Sequence, residues 1–149
     1  MGDLDDLGPA AVTETELATM LAGHLGLDGA VRITEVDVAP FPYELESLTT
    51  LARHRVRGRA TTPAGEVPFG LFVKVVQAWE RSPVFAEVPE EVRALAAASV
   101  PWRTEPLVYR SDLADRLPDG LSMPAALAVV DLDELSCAVW LEELDVLDV

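Results

Sequence analysis

Lys74 is the residue of this chain whose type and setting most strongly suggest chemistry. It is the only lysine among 11 basic side chains, and it lies in the apolar run Phe69-Gly70-Leu71-Phe72-Val73-Lys74-Val75-Val76. A run that is apolar on both faces is typical of a buried strand. A buried ammonium group without a partner costs several kcal/mol or loses its proton. The run therefore predicts an anionic neighbour, either a carboxylate or a bound anion such as a phosphate, unless the strand lies at a sheet edge and Lys74 reaches water.

Glu105 is the carboxylate best placed to meet Lys74. Residues 102–117 are predicted to be helical, and four apolar residues form one stripe of that helix: Trp102, Pro106, Tyr109 and Leu113. Glu105 lies between the first two members of the stripe, so it is expected to face inward and to pair with Lys74. The alternative is that Glu105 is a first-turn residue favoured by the helix dipole. A proline directly after it predicts that the helix begins late.

The elements around this pair predict an α+β domain. Thr13 and Glu16 form a capping box before a helix that ends at Gly26. Alternating or apolar runs predict five strands, at residues 31–38, 51–60, 67–76, 124–130 and 135–141. A short helix is expected from Pro89 through Ala96. Short turns join the first three strands, so the expected fold is a five-stranded antiparallel sheet with the helices packed on one side.

Three further expectations concern the start of the chain, the last strand and the second strand. Residues 1–12 are charged and are expected to be flexible, whereas the strand 135–141 is apolar on both faces and should be buried with Cys137. The strand 51–60 carries arginine at every second position, at Arg53, Arg55, Arg57 and Arg59. This arginine row predicts a face turned to water or to an acidic partner.

Charge and composition exclude several classes of function. A formal charge of -15 and a pI near 4.3 argue against nucleic-acid binding, which requires a basic surface. The acidic start is unlike a signal peptide, and no run approaches the roughly 18 apolar residues of a membrane span. The single Cys137 excludes an internal disulfide. We therefore expect a cytoplasmic protein that does not bind membranes.

The ordered set of motifs resembles the amino-terminal lobe of protein-kinase-like enzymes. It consists of the strand Phe72-Val73-Lys74-Val75, the helix with inward Glu105 and a last strand ending Trp140-Leu141-Glu142-Glu143-Leu144. More narrowly, the chain is similar to the aminoglycoside phosphotransferase family, especially to uncharacterised actinobacterial members. Pro101-Trp102-Arg103-Thr104-Glu105 and Leu117-Pro118-Asp119-Gly120-Leu121 carry that narrower likeness. The resemblance implies that residues 13–144 form a nucleotide-binding lobe and that residues 145–149 are the hinge at which the chain stops.

The resemblance also implies roles for individual residues. Lys74 would hold the phosphates of ATP or GTP, bound with Mg²⁺, and Glu105 would hold Lys74. Leu141 would precede the hinge, where the Glu142 carbonyl and the Leu144 amide meet the base. The loop at residues 39–49 has no glycine, so the hydroxyls of two residues, Ser47 and Thr49, are expected to serve the phosphates.

The same resemblance leaves catalysis to residues elsewhere. Kinases of this type take the catalytic Asp and the metal ligands from a carboxyl-terminal lobe. No His-x-Asp-x-x-x-x-Asn pattern occurs in this sequence. The chain is therefore expected to bind nucleoside triphosphate but to be catalytically incomplete alone, and to need a carboxyl-terminal lobe or a second copy as partner. The alternatives are a non-catalytic regulatory or interaction module with the same fold and, from charge alone, an acidic binder of a cationic partner.

Overall fold

The computed structural model describes residues 2–43 and 47–145 of the chain. Its strands are β1 (Arg32–Pro40), β2 (Thr50–Thr62), β3 (Gly65–Gln77), β4 (Ala126–Asp133) and β5 (Ser136–Glu142). Its α-helices are α1 (Glu14–Leu25), α2 (Arg93–Ser99), α3 (Thr104–Arg110) and α4 (Leu113–Arg116). Short 3₁₀ helices cover Leu4–Ala10, Trp79–Arg81, Pro83–Glu87 and Glu90–Val92. The fold is α+β, as predicted, although several boundaries differ from those read in the sequence.

The five strands form one antiparallel sheet in the order β1-β2-β3-β5-β4. Because β5 lies between β3 and β4, both of its edges are paired. Residues 136–141 are all buried, and Cys137 is 1% exposed. The prediction of a buried fifth strand is confirmed, and burial raises the pKa of the Cys137 thiol.

One face of the sheet carries the main hydrophobic core. Leu17 and Leu21 of α1 pack there with Val73 and Trp140, all of them at most 1% exposed. The capping box that starts α1 is present, because Thr13 Oγ1 accepts from Glu16 N at 3.2 Å and Glu16 Oε2 accepts from Thr13 N at 2.7 Å. α1 therefore begins where the capping box predicted it.

The first residues differ from the sequence-based expectation of a flexible segment at residues 1–12. Leu4–Ala10 is a 3₁₀ helix whose Leu4 and Leu7 side chains are buried in the core. Gly2 N donates to Asp37 Oδ1 at 3.0 Å, and Val38 N donates to Gly2 O at 3.2 Å. The apolar positions between the acidic residues cover an end of the core that α1 leaves open.

The helices lie on both faces of the sheet, which corrects the expectation that they pack on one side. Two buried residues of β5, Cys137 and Val139, point away from the core face because they pair with Val76 and Lys74 of β3. α3 lies on that opposite face, where Glu105 meets Lys74. α3, in the connection between β3 and β4, therefore lies on the face opposite α1, a position that no local pattern in it specifies.

The helix expected over residues 102–117 is two short helices. Ser111 is extended between them (φ -86°, ψ 176°), and its Oγ donates to Val108 O at 2.6 Å and accepts from Leu113 N at 3.2 Å. A serine hydroxyl that bonds nearby backbone groups competes with the helix. Pro106 causes no kink because it is the third residue of α3, in the first turn, where no backbone N–H needs an intrahelical acceptor.

Candidate functional site

The ion pair predicted between Lys74 and Glu105 is present. Lys74 Nζ donates to Glu105 Oε2 at 2.5 Å, and the two side chains are 21% and 32% exposed. β3 is an inner strand, flanked by Arg53 of β2 and Val139 of β5 at the level of Lys74. The alternative of an edge strand with Lys74 reaching bulk water is therefore wrong.

Contacts to the β4–β5 hairpin hold α3 in the position that this ion pair requires. Arg103, just before α3, donates from Nη2 to Glu134 O at 2.6 Å. Arg110, at its end, donates from Nη2 to Val129 O at 3.1 Å and pairs with Asp131. Pro106 is buried beneath the first turn. Both ends of α3 are thus tied to the sheet, and Glu105 is presented in its first turn toward β3.

A groove of about 390 Å³ opens beside the ion pair. Its lining combines charged groups with aromatic and apolar side chains: Phe41, Tyr43, Arg53, Arg55, Phe72, Lys74, Glu105, Tyr109, Pro124, Leu141, Glu142, Glu143 and Leu144. The volume lies in the range of small-molecule sites, which are mostly apolar with a few convergent polar groups. Burial and then the charge of Glu105 raise the pKa of the Tyr109 phenol. The groove can therefore take a ligand with an apolar or aromatic part and an anionic part.

The arginine row of β2 lies on the same face of the sheet as Lys74. In the β2–β3 register Arg53 is opposite Lys74, and Arg55 is opposite Phe72. The Arg53 guanidinium carbon lies 4.1 Å from the centre of the Tyr43 ring, and that of Arg55 lies 5.2 Å from the Phe41 ring. These distances are typical of cation–π contacts. Arg53 and Arg55 line the groove. Arg55, Arg57 and Arg59 are partly exposed and have glutamate partners, in agreement with the predicted face toward water or an acidic partner.

Glu143 joins the end of β5 to the arginine row. Its carboxylate is 2.6 Å from Arg55 Nε and accepts from Arg57 Nε at 2.8 Å and from Arg57 Nη2 at 2.6 Å. The hydrogen bonds from Arg57 hold the pKa of the Glu143 carboxyl below its usual range. Gly70 makes room for this contact, since a Cβ atom there would collide with Glu143 Oε2. The segment that leaves the sheet is thereby fixed beside the groove.

The structure brings together most, but not all, of the residues predicted for the site. Leu141, Glu142 and Leu144 line the same groove as Lys74 and Glu105. The Glu142 amide donates to Ala125 O at 2.9 Å, and Leu144 is exposed. Residues 146–149, part of the segment expected to be a hinge, lie outside the described residues.

Ser47 and Thr49 do not reach the groove. Ser47 lines a neighbouring depression with Arg53, Gln77 and Ser82, and the Thr49 carbonyl accepts from Gln77 N at 2.8 Å. Gln77 is three residues beyond Lys74, or about 10 Å along a strand. The two hydroxyl residues are therefore at the end of β3 rather than beside Lys74, and residues 44–46 of their loop lie outside the described ranges.

Several groove residues were not assigned to the site from the sequence: Phe41, Tyr43, Arg53, Arg55, Phe72, Tyr109 and Glu143. A signal existed for the arginines, which alternate along one strand, and for Phe72, which shares the face of Lys74. Their neighbourhood depends on strand register, which the sequence does not state. Within residues 2–43 and 47–145, no group of three His, Cys, Asp or Glu side chains is placed to hold a metal ion.

Comparisons of the chain with protein-family models, with curated proteins and with solved structures found no match. Among the described residues, no helix is long and apolar enough to span a membrane.

Proposed function

We propose that this chain is the nucleotide-binding amino-terminal lobe of an ATP- or GTP-dependent phosphotransferase that acts on a hydroxyl group of a small molecule. The observation that carries the proposal is the Lys74–Glu105 ion pair at the side of a groove that also holds the end of β5. The order of elements agrees with the resemblance, with three strands, a helix that carries the glutamate and two further strands. The resemblance to the aminoglycoside phosphotransferase family remains part of the proposal.

Lys74 and Glu105 have distinct roles in this proposal. Lys74 donates hydrogen bonds to phosphate oxygens and lowers the cost of bringing negative charge into the groove. Glu105 keeps the ammonium group from folding back along the strand, so that little side-chain entropy is lost when the phosphates bind.

The apolar part of the groove is suited to a nucleobase. Phe41 and Phe72 meet edge to face, with ring centres 5.4 Å apart, and Leu141 is buried at the start of the segment that leaves β5. In the proposal a purine ring lies against these side chains, and the Leu144 amide and the Glu142 carbonyl meet its polar edge.

Transfer of the phosphoryl group requires residues beyond those of this groove. Mg²⁺ brings charge neutralisation to phosphoryl transfer when it is bound with the nucleotide. The described residues do not form a cluster fit to hold it, and we assign no step to it. In the proposal the catalytic Asp and the metal ligands come from a carboxyl-terminal lobe or from a second chain.

The proposal is tested by thermal unfolding with and without Mg-ATP and Mg-GTP. A ligand at one hundred times its dissociation constant adds about 2.7 kcal/mol, or roughly 5–10 °C in Tm for a domain of this size. We expect such a shift with at least one nucleotide, and we expect Lys74→Met to abolish it. Arg59→Met is the matched control, because it removes one positive charge from the same face but pairs with Glu66 outside the groove.

A second candidate is a non-catalytic regulatory or interaction module that keeps this fold. It is favoured by the absence of glycine from residues 39–49, where a phosphate-binding loop would place its backbone amides. This candidate predicts no change in Tm with either nucleotide, for the unchanged chain and for both variants. That result would overturn the nucleotide-binding proposal.

A further inference from the structure

We infer that Arg53, acting with Lys74, holds the polyphosphate chain of the ligand in this groove, a task that a glycine-rich loop would otherwise serve. The inference rests on the proposed function for the identity of the ligand as a nucleoside triphosphate. Its own basis is the arrangement of positive charges on β2 and β3. Ser47 and Thr49, the residues expected to serve the phosphates, do not line the groove, and Ser47 lines a neighbouring depression that shares Arg53 with it.

Two cations lie directly opposite each other at the centre of this face. Arg53 pairs with Lys74 in the β2–β3 register, and side chains in such positions have Cβ atoms about 4.5–5.5 Å apart. Like charges directly opposite each other destabilise a sheet. Glu105 offsets one of the two charges by pairing with Lys74. A bound polyanion between the two groups would remove the remaining repulsion.

The four arginines of the row have two different roles. Glu143 binds both Arg55 and Arg57, and Glu66 pairs with Arg59. These arginines therefore have carboxylate partners in the chain itself and fix the strands to one another. Arg53 has no carboxylate partner among residues 2–43 and 47–145, and it borders the groove with its guanidinium over the Tyr43 ring. Stacking on an aromatic ring holds the planar fork in place while leaving its N–H groups directed outward from the ring edge.

The guanidinium group binds the oxygens of a carboxylate or of a phosphate in bidentate fashion, and a phosphate chain offers several such pairs of oxygens. Its five N–H donors form a fork that binds phosphate oxygens two at a time, whereas Lys74 acts as a point charge. The overall charge of -15 repels an anion from most of this protein. The groove is less negative than the chain as a whole, because three acidic side chains in its lining are matched by the three basic ones, Arg53, Arg55 and Lys74.

The experiment measures dissociation constants by calorimetry for ATP, ADP, AMP and inorganic tripolyphosphate, with the unchanged chain, Arg53→Met, Arg53→Lys and the control Arg59→Met. We expect Arg53→Met to raise the dissociation constants of ATP and tripolyphosphate by roughly 10- to 100-fold, the usual effect of losing a hydrogen bond to a charged group. The dissociation constant of AMP should change least, and Arg53→Lys should recover part of the lost affinity for ATP and tripolyphosphate. Arg59→Met should bind as the unchanged chain does. Thermal unfolding of each variant establishes that it is folded.

The outcomes separate this inference from the proposed function. If the chain binds ATP and Arg53→Met weakens it no more than Arg59→Met does, the inference is overturned and the proposed function stands. If the chain binds tripolyphosphate through Arg53 but binds no nucleotide, the inference stands for the phosphate chain and the proposed function fails. Binding of neither ATP nor tripolyphosphate overturns both.

Discussion

The two faces of the central sheet have opposite compositions although the same three inner strands build them. Under α1, Val73 and Trp140 are fully buried in an apolar core. On the other face, Lys74 and Arg53 border an open groove, and the burial of β5 there depends on α3. One face therefore supplies the stability and the other supplies the binding groups. Adjacent residues of one strand, such as Val73 and Lys74, serve the two purposes because their side chains point in opposite directions.

The largest expected effect is on the core face. Trp140→Ala should lower the free energy of unfolding by about 3–5 kcal/mol, because it removes the largest fully buried side chain and leaves a cavity. Urea unfolding monitored by circular dichroism measures this loss. Arg53→Met on the groove face should change the same quantity by less than about 1 kcal/mol. Equal losses for the two variants would contradict the division of roles between the faces.

An intermediate effect is expected from the ion pair itself. A double-mutant cycle with Lys74→Met and Glu105→Gln should give a favourable coupling energy of about 1 kcal/mol, since both side chains are less than one-third exposed. The control cycle uses Arg116 and Asp112, an exposed pair one helical turn apart, for which about 0.3–0.5 kcal/mol is expected. Urea unfolding of the four proteins in each cycle yields both values. A coupling at Lys74 no larger than the control would mean that the groove does not hold the pair.

The smallest effect is a difference in pH dependence between the faces. On the core face, burial lowers the pKa of His54 from 6.5, with Asp6 acting in the opposite direction. The unfolded chain then binds more protons than the folded one, so stability falls as pH drops below about 6.5. On the groove face, the hydrogen bonds from Arg57 lower the pKa of Glu143 from 4.5, so its contribution is lost only below about pH 4.5.

Two variants separate these contributions. His54→Gln should flatten the loss of stability between about pH 6.5 and pH 5, and Glu143→Gln should flatten it below about pH 4.5. Both are measured as free energies of unfolding across that range of pH. A steeper fall between pH 6.5 and 5 in His54→Gln would reverse the sign assigned to His54.

Local patterns in the sequence were sufficient for much of this fold. The capping box of Thr13 and Glu16 predicted the start of α1, and runs of alternating or apolar residues predicted all five strands. The ion pair could also be predicted, because a buried lysine requires an anion and one helix carries a carboxylate on its apolar stripe. In each case the interacting residues are close in sequence, or the cost of a buried charge leaves few alternatives.

Other features were decided only by the tertiary structure. The positions of Arg53 beside Lys74 and of Glu143 on Arg55 follow from strand register, which depends on the pairing of whole strands and turns rather than on any local pattern. The packing of Leu4 and Leu7 and the placement of α3 opposite α1 follow from which apolar surfaces the sheet leaves uncovered. The position of Ser47 outside the groove has a related reason, since it lies just before β2, whose start pairs with the end of β3. The sequence by itself determined the strands and the need for a partner to Lys74, and tertiary packing decided which groups surround it.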